Sequence, residues 1–131
     1  MRSWLLIVGG LLLGAGAFVH AFAGWPPLRG ALESHGCTSN LIGAVGAGWV
    51  FGSVAMLTFG FLVLCDGVRL RQGARVCVAS SPAIGAAYLA FGATAWLLRD
   101  LNPHFLSFVL AGLFIGLPCL VRAAKAHPGG D

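Results

Sequence analysis

Four side chains in this sequence have the chemistry to hold a metal ion or a haem iron: His20, His35, Cys37 and His104. Imidazole and thiolate ligands suit copper, zinc or haem iron, and ligands from separate chain segments can converge where helices pack closely. His35 and Cys37 stand at an H-x-C spacing, and His104 directly follows Pro103. His20 lies in an apolar run with Gly16 and Gly24 one helical turn to either side, so it would point into a helix bundle rather than at lipid. An ionisable residue inside a membrane segment is a functional candidate by default. His20 is therefore the centre of a candidate metal, haem or quinone site.

Plainer readings stand beside that one. His20 as a neutral imidazole would hydrogen-bond a carbonyl or hydroxyl of another helix, and His35 and His104 would be solvated loop groups. The chain has no C-x-x-C, no H-x-x-x-H and no paired acid to sharpen the site. Cys65, Cys77 and Cys119 fall near span ends on the side read below as cytoplasmic, where thiols stay reduced and pack as small apolar groups. No nucleophile and base stand at a recognisable spacing, and there is no phosphate loop, so the reading leans away from an enzyme.

These groups must be positioned by membrane helices. Of the 131 residues, 58% are hydrophobic and 9% charged, far from the composition of a soluble domain. A hydrocarbon core roughly 30 Å thick needs about 20 apolar residues per helix, which leaves room for four spans and no soluble catalytic domain. The expected spans are residues 4–25, 41–65, 76–98 and 103–121, in a single all-α, integral membrane four-helix domain. Pro26 and Pro27 are read as ending the first. Ser39 and Asn40 would cap the second, and Asp66 and Gly67 would close it. Ser81 with Pro82, and Asn102 with Pro103, look like cap and first-residue pairs for the third and fourth.

Orientation follows from the cations. Arg2, Arg69, Arg71, Arg75, Arg122 and Lys125 fall on one side, and Arg29 and Arg99 on the other, which places both termini in the cytoplasm. The net charge of +4 is spread along span ends with no dense basic run, which argues against nucleic acid. Arg2, an apolar run and Ala21-Phe22-Ala23 also imitate a cleavable signal peptide, although the run is longer than such segments usually have.

Helices in lipid associate through close packing that small residues permit. Seams are expected along Gly10, Gly14, Ala17, Ala21 and Gly24, along Ala44, Gly48, Gly52 and Ala55, along Ala83, Ala86, Ala90 and Ala93, and at Gly112 and Gly116. No carboxylate or cation lies in the middle of a span, which disfavours ion-coupled transport. The functional expectation is a non-catalytic accessory or scaffold subunit of the bacterial inner membrane, in contact with the lipid bilayer and a membrane-protein partner or further copies of itself. The alternatives are the redox or metal-handling site centred on His20, and small-solute transport by an oligomer through Ser53, Thr58, Tyr88 and Thr94.

Overall fold

The computed structural model describes the backbone of residues 2–74 and 80–123 and the side chains up to Pro118. Among the described residues every regular element is helical: α1 (Arg2–Phe18), a π turn (Val19–Gly24), α2 (Trp25–Ser34), α3 (Ser39–Arg71), α4 (Ser80–Leu98), a 3-10 turn (Pro103–Phe105) and α5 (Leu106–Ala123). Three helical stretches are long and apolar enough to cross a membrane, Arg2–Ser34 and Ser39–Arg71 with 33 residues each and Ser80–Leu98 with 19, and Pro103–Pro118 is a shorter apolar helix.

The first two spans are longer than expected, for identifiable reasons. Pro26 and Pro27 do not end the first helix, because they fall at the first positions of α2, directly after the π turn. A proline there forfeits only a donor that a helix start leaves unpaired. The real stop is Gly36, at φ 72°, where Gly36 N–H donates to Glu33 and Cys37 N–H to Leu32. That is a left-handed C-terminal cap, open to glycine because it has no Cβ. The same pair of bonds ends α3 at Gly73, φ 85°, from Gly73 to Leu70 and from Ala74 to Arg69. Asp66 and Gly67 therefore lie inside α3 and do not close it. At its start the cap is Thr38, whose hydroxyl accepts from Leu41 N–H at 3.3 Å, in place of Ser39 or Asn40.

Helix α4 begins at Ser80, one residue before the Ser81–Pro82 pair, and residues 76–79 of the expected third span lie outside the described residues. Asn102 does cap the fourth segment, its side chain accepting from His104 N–H at 3.0 Å, with Pro103 following as read. Between them Asp100 and Leu101 take left-handed φ of 52° and 58°, and Leu101 N–H reaches back to Trp96 carbonyl. This stop has the geometry of the glycine-capped ones without a glycine.

The contacts divide the chain into two compact units, residues 1–10 with 62–131, and residues 11–61. In the first, α4 and α5 meet backbone to backbone. A Cβ on Gly85 would lie 2.9 Å from Gly116 N, one on Gly92 2.7 Å from Val109 N, and one on Gly112 2.7 Å from Gly85 O. Leu6, Val63, Ile84, Tyr88 and Ile115 are buried in this unit. The buried face of α4 is Ser81, Ile84, Gly85, Tyr88 and Gly92. The alanine seam expected on this helix, Ala83, Ala86, Ala90 and Ala93, is exposed instead. Both rows repeat with helical spacing, and glycine wins because it allows an approach that even alanine blocks.

The second unit is a helical hairpin of residues 11–34 and 39–61. Leu13, Ala17 and Ser53 are buried in it. The small residues expected on the first helix do lie on its inner side, with Ala17 buried and Gly14, Ala21 and Gly24 half-buried. On α3 the expected seam holds in part. Gly52 is inward and Ala55 half-buried, whereas Ala44 and Gly48 are exposed, and the other inward positions are Gly46, Trp49 and Met56.

Candidate functional site

The hairpin holds its aromatic rings against glycines in a reciprocal way. A Cβ on Gly24 would come 2.7 Å from the Trp49 ring, and one on Gly46 would come 2.9 Å from the Trp25 ring. Each helix thus offers one tryptophan and receives the other in the space where a side chain is missing. The two indoles lie 6.2 Å apart at 41°.

His20 is the third member of this cluster. Its imidazole stacks on the Trp49 indole with centroids 4.0 Å apart and planes 11° from parallel. Trp49 Nε1–H donates to the main-chain carbonyl of His20 at 2.7 Å. His20 lies within the π turn, where the wider i→i−5 pattern disturbs the regular ladder and frees backbone for side-chain partners. Two N–H groups are also absent just downstream at Pro26 and Pro27. The indole donor therefore supports a weakened stretch of helix as well as the stack. His20 Nε2 lies 3.5 Å from the position a Cβ would take on Gly52, an ordinary contact distance, so the imidazole packs against the α3 backbone at that glycine. Among the described residues no hydrogen bond engages either ring nitrogen of His20.

The other residues singled out from the sequence are placed as follows. His35 is exposed at the end of α2, its Nδ1 2.7 Å from the Ala31 carbonyl and 3.3 Å from Ser34 Oγ. Cys37 is half-buried with a free thiol in the loop that follows. His104 belongs to the first unit, where it meets Phe105 and Phe108 edge-on at 5.6 and 6.0 Å and covers an aromatic cluster with Tyr88 and Phe91. Among the described residues, neither unit brings three or more His, Cys, Asp or Glu side chains together as a metal-binding group. Cys65 is a half-buried free thiol on α3. Cys77 lies outside the described residues, and so does the Cys119 side chain. Of the polar groups considered for solute passage, Ser53 and Thr58 hydroxyls turn back to their own helix, donating to Trp49 and Val54 carbonyls at 3.0 and 2.9 Å.

A polar cluster that sequence reasoning missed lies in the first unit. Asp66 is only 6% exposed, and its Oδ2 accepts from Ser80 Oγ at 2.9 Å and Ser81 Oγ at 2.6 Å. A carboxylate buried in a low-dielectric environment needs such donors. The pairing ties α3 to the first turn of α4. Val63, three residues before Asp66 and so on the same face, is buried with it, as is Gly67.

At the same end, a Cβ on Gly67 would lie 2.8 Å from Ile7, and Arg71, one turn further, holds its guanidinium 4.5 Å from the centroid of the Trp4 ring. This is a cation–π contact at the meeting of the start of α1 and the end of α3. No protein-family model, curated protein or solved structure matches this chain.

Proposed function

We propose that this chain is a four-span protein of the bacterial inner membrane, both termini cytoplasmic, that works as a non-catalytic accessory or scaffold subunit through its outer helix faces. The supporting observation is where its large apolar groups lie. Phe18, Phe22, Val50, Phe51, Val54 and Phe61 are all more than half exposed on helices suited to a membrane. Two of the polar groups are taken up in internal packing. Trp49 is committed to His20, and Asp66 to Ser80 and Ser81. Such outward faces meet lipid, another membrane protein or a second copy of the chain. Mass measurement of the full chain in nanodiscs, with cross-linking in native membranes, tests this reading. A chain that stays monomeric and captures no membrane neighbour contradicts it.

A second reading keeps His20 as the centre of a metal, haem or quinone site, with His35 and Cys37 of the same unit as further candidate ligands. What favours it is the imidazole whose ring nitrogens carry no hydrogen bond among the described residues. Metal analysis and the visible spectrum of purified protein, compared with His20→Ala, decide it. Absence of a bound group in the parent removes it.

A further inference from the structure

We propose that the arginine-bearing end of the first unit, centred on Arg71 and Trp4, binds the phosphate of an anionic phospholipid headgroup. This rests on the reading that the chain spans a membrane.

Arg71 is exposed, and its guanidinium lies over the face of the Trp4 indole. A guanidinium carries its five N–H donors in its own plane. The contact holds the group beside the ring, and among the described residues no hydrogen bond or ion pair engages the Arg71 side chain, so its donors are left for an oxyanion, the acceptor that arginine's planar fork suits best. Trp4 is 52% exposed near the start of a 33-residue apolar stretch, where an amphipathic ring settles at headgroup depth. The site therefore sits at the level of lipid phosphates.

Among the described residues no ion pair engages the cations at this end. Arg2, two residues before Trp4, and Arg69 add positive charge, and among the described residues the ion pair present is Arg29 with Glu33, which belongs to the other unit. The carboxylate nearest in sequence, Asp66, is buried and takes its hydrogen bonds from Ser80 and Ser81. A cationic, aromatic-backed surface whose arginines have no ion-pair partner among the described residues is complementary to an acidic headgroup.

The test uses the full chain in detergent and in nanodiscs. Phosphatidylglycerol should raise the unfolding midpoint and appear as a retained adduct in native mass spectra, with roughly tenfold tighter apparent binding than phosphatidylcholine. Arg71→Gln should lose most of that preference, and Trp4→Leu should weaken it with all charges kept. Arg71→Lys should fall between, since it keeps the charge without the planar fork. Arg29→Gln, at the ion pair with Glu33, should retain the preference. Equal binding of the two lipids, an unchanged preference in Arg71→Gln, or an equal shift from inorganic phosphate alone would overturn the proposal. So would displacement of the lipid by an acidic peptide that binds the same arginine more tightly. Alkaline extraction of native membranes separates the two levels: a chain that stays in the membrane without lipid preference refutes this site alone, and a chain that washes out refutes the membrane reading as well.

Discussion

Trp49 does two jobs at His20: its ring lies flat on the imidazole at 4.0 Å, and its N–H closes on the carbonyl of the same residue at 2.7 Å. The side chain and the backbone of one residue, inside a π turn, are thus held by a single indole from the opposing helix. The two contributions can be separated. Trp49→Phe keeps a ring for stacking and removes the donor, with an expected loss of about 0.5–1.5 kcal/mol. Trp49→Ala removes both and leaves a cavity beside Gly24, with an expected loss of about 3–5 kcal/mol. Reversible unfolding in mild detergent gives both numbers. Equal losses would mean that the hydrogen bond dominates and the ring contributes little.

Glycines on the hairpin should divide by what stands in front of them. Gly24→Ala and Gly46→Ala drive a methyl into Trp49 and Trp25 and should cost about 1–3 kcal/mol. Gly48 has nothing within 4 Å of its Cβ position, so Gly48→Ala should be neutral or stabilising, by up to about 1 kcal/mol from helix propensity. Thermal midpoints of the three variants test this ranking. A loss at Gly48 as large as at Gly46 would place a partner on the outer face of α3.

Between α4 and α5 the obstacles are backbone atoms, which cannot rotate away as a side chain can. Gly85→Ala and Gly112→Ala should therefore be more damaging than the hairpin substitutions and should separate the two helices. Gly116→Ala meets nothing within 4 Å and should be tolerated. Engineered-cysteine cross-linking between α4 and α5 reads the separation directly. Efficient cross-linking in Gly85→Ala would contradict the close approach.

Asp66 should tolerate asparagine better than alanine. Asparagine keeps an acceptor for Ser80 and Ser81, whereas alanine strands two hydroxyls, one of them on Ser81, which is 1% exposed. The expected cost of Asp66→Ala is about 1–3 kcal/mol, part of which a second change of Ser81 to Ala should recover. A double-mutant cycle on unfolding free energies measures that coupling, and strict additivity would show that the pair contributes nothing.

Orientation is open to reporter fusions. The distribution of arginine and lysine predicts cytoplasmic signals after Gln72 and at the C-terminus, and external signals near Ser34 and Asn102. An external Gln72 would reverse the orientation.

The helical class, the apolar stretches and the Asn102–Pro103 start were legible in the residues alone, because these depend on local composition, on the length needed to cross hydrocarbon and on the φ that proline imposes. So was the inner side of the first helix, where small residues recur with helical spacing. Packing between helices selects which of several competing small-residue rows is used. The choice of Gly85 and Gly92 over Ala83 and Ala90, and of Gly46 over Gly48, depends on what the neighbouring helix presents, and periodicity is the same for either row. The fold also sets that Pro26 and Pro27 continue a helix and that Asp66 lies within one. A proline stops a helix only where its missing donor is needed, and a carboxylate marks a turn only where no hydroxyl from another segment can hold it inside. His20 could be flagged from its type alone; that its ring would lie between Trp49 and Gly52 required a π turn and an opposing helix, and neither is written in the spacing around it.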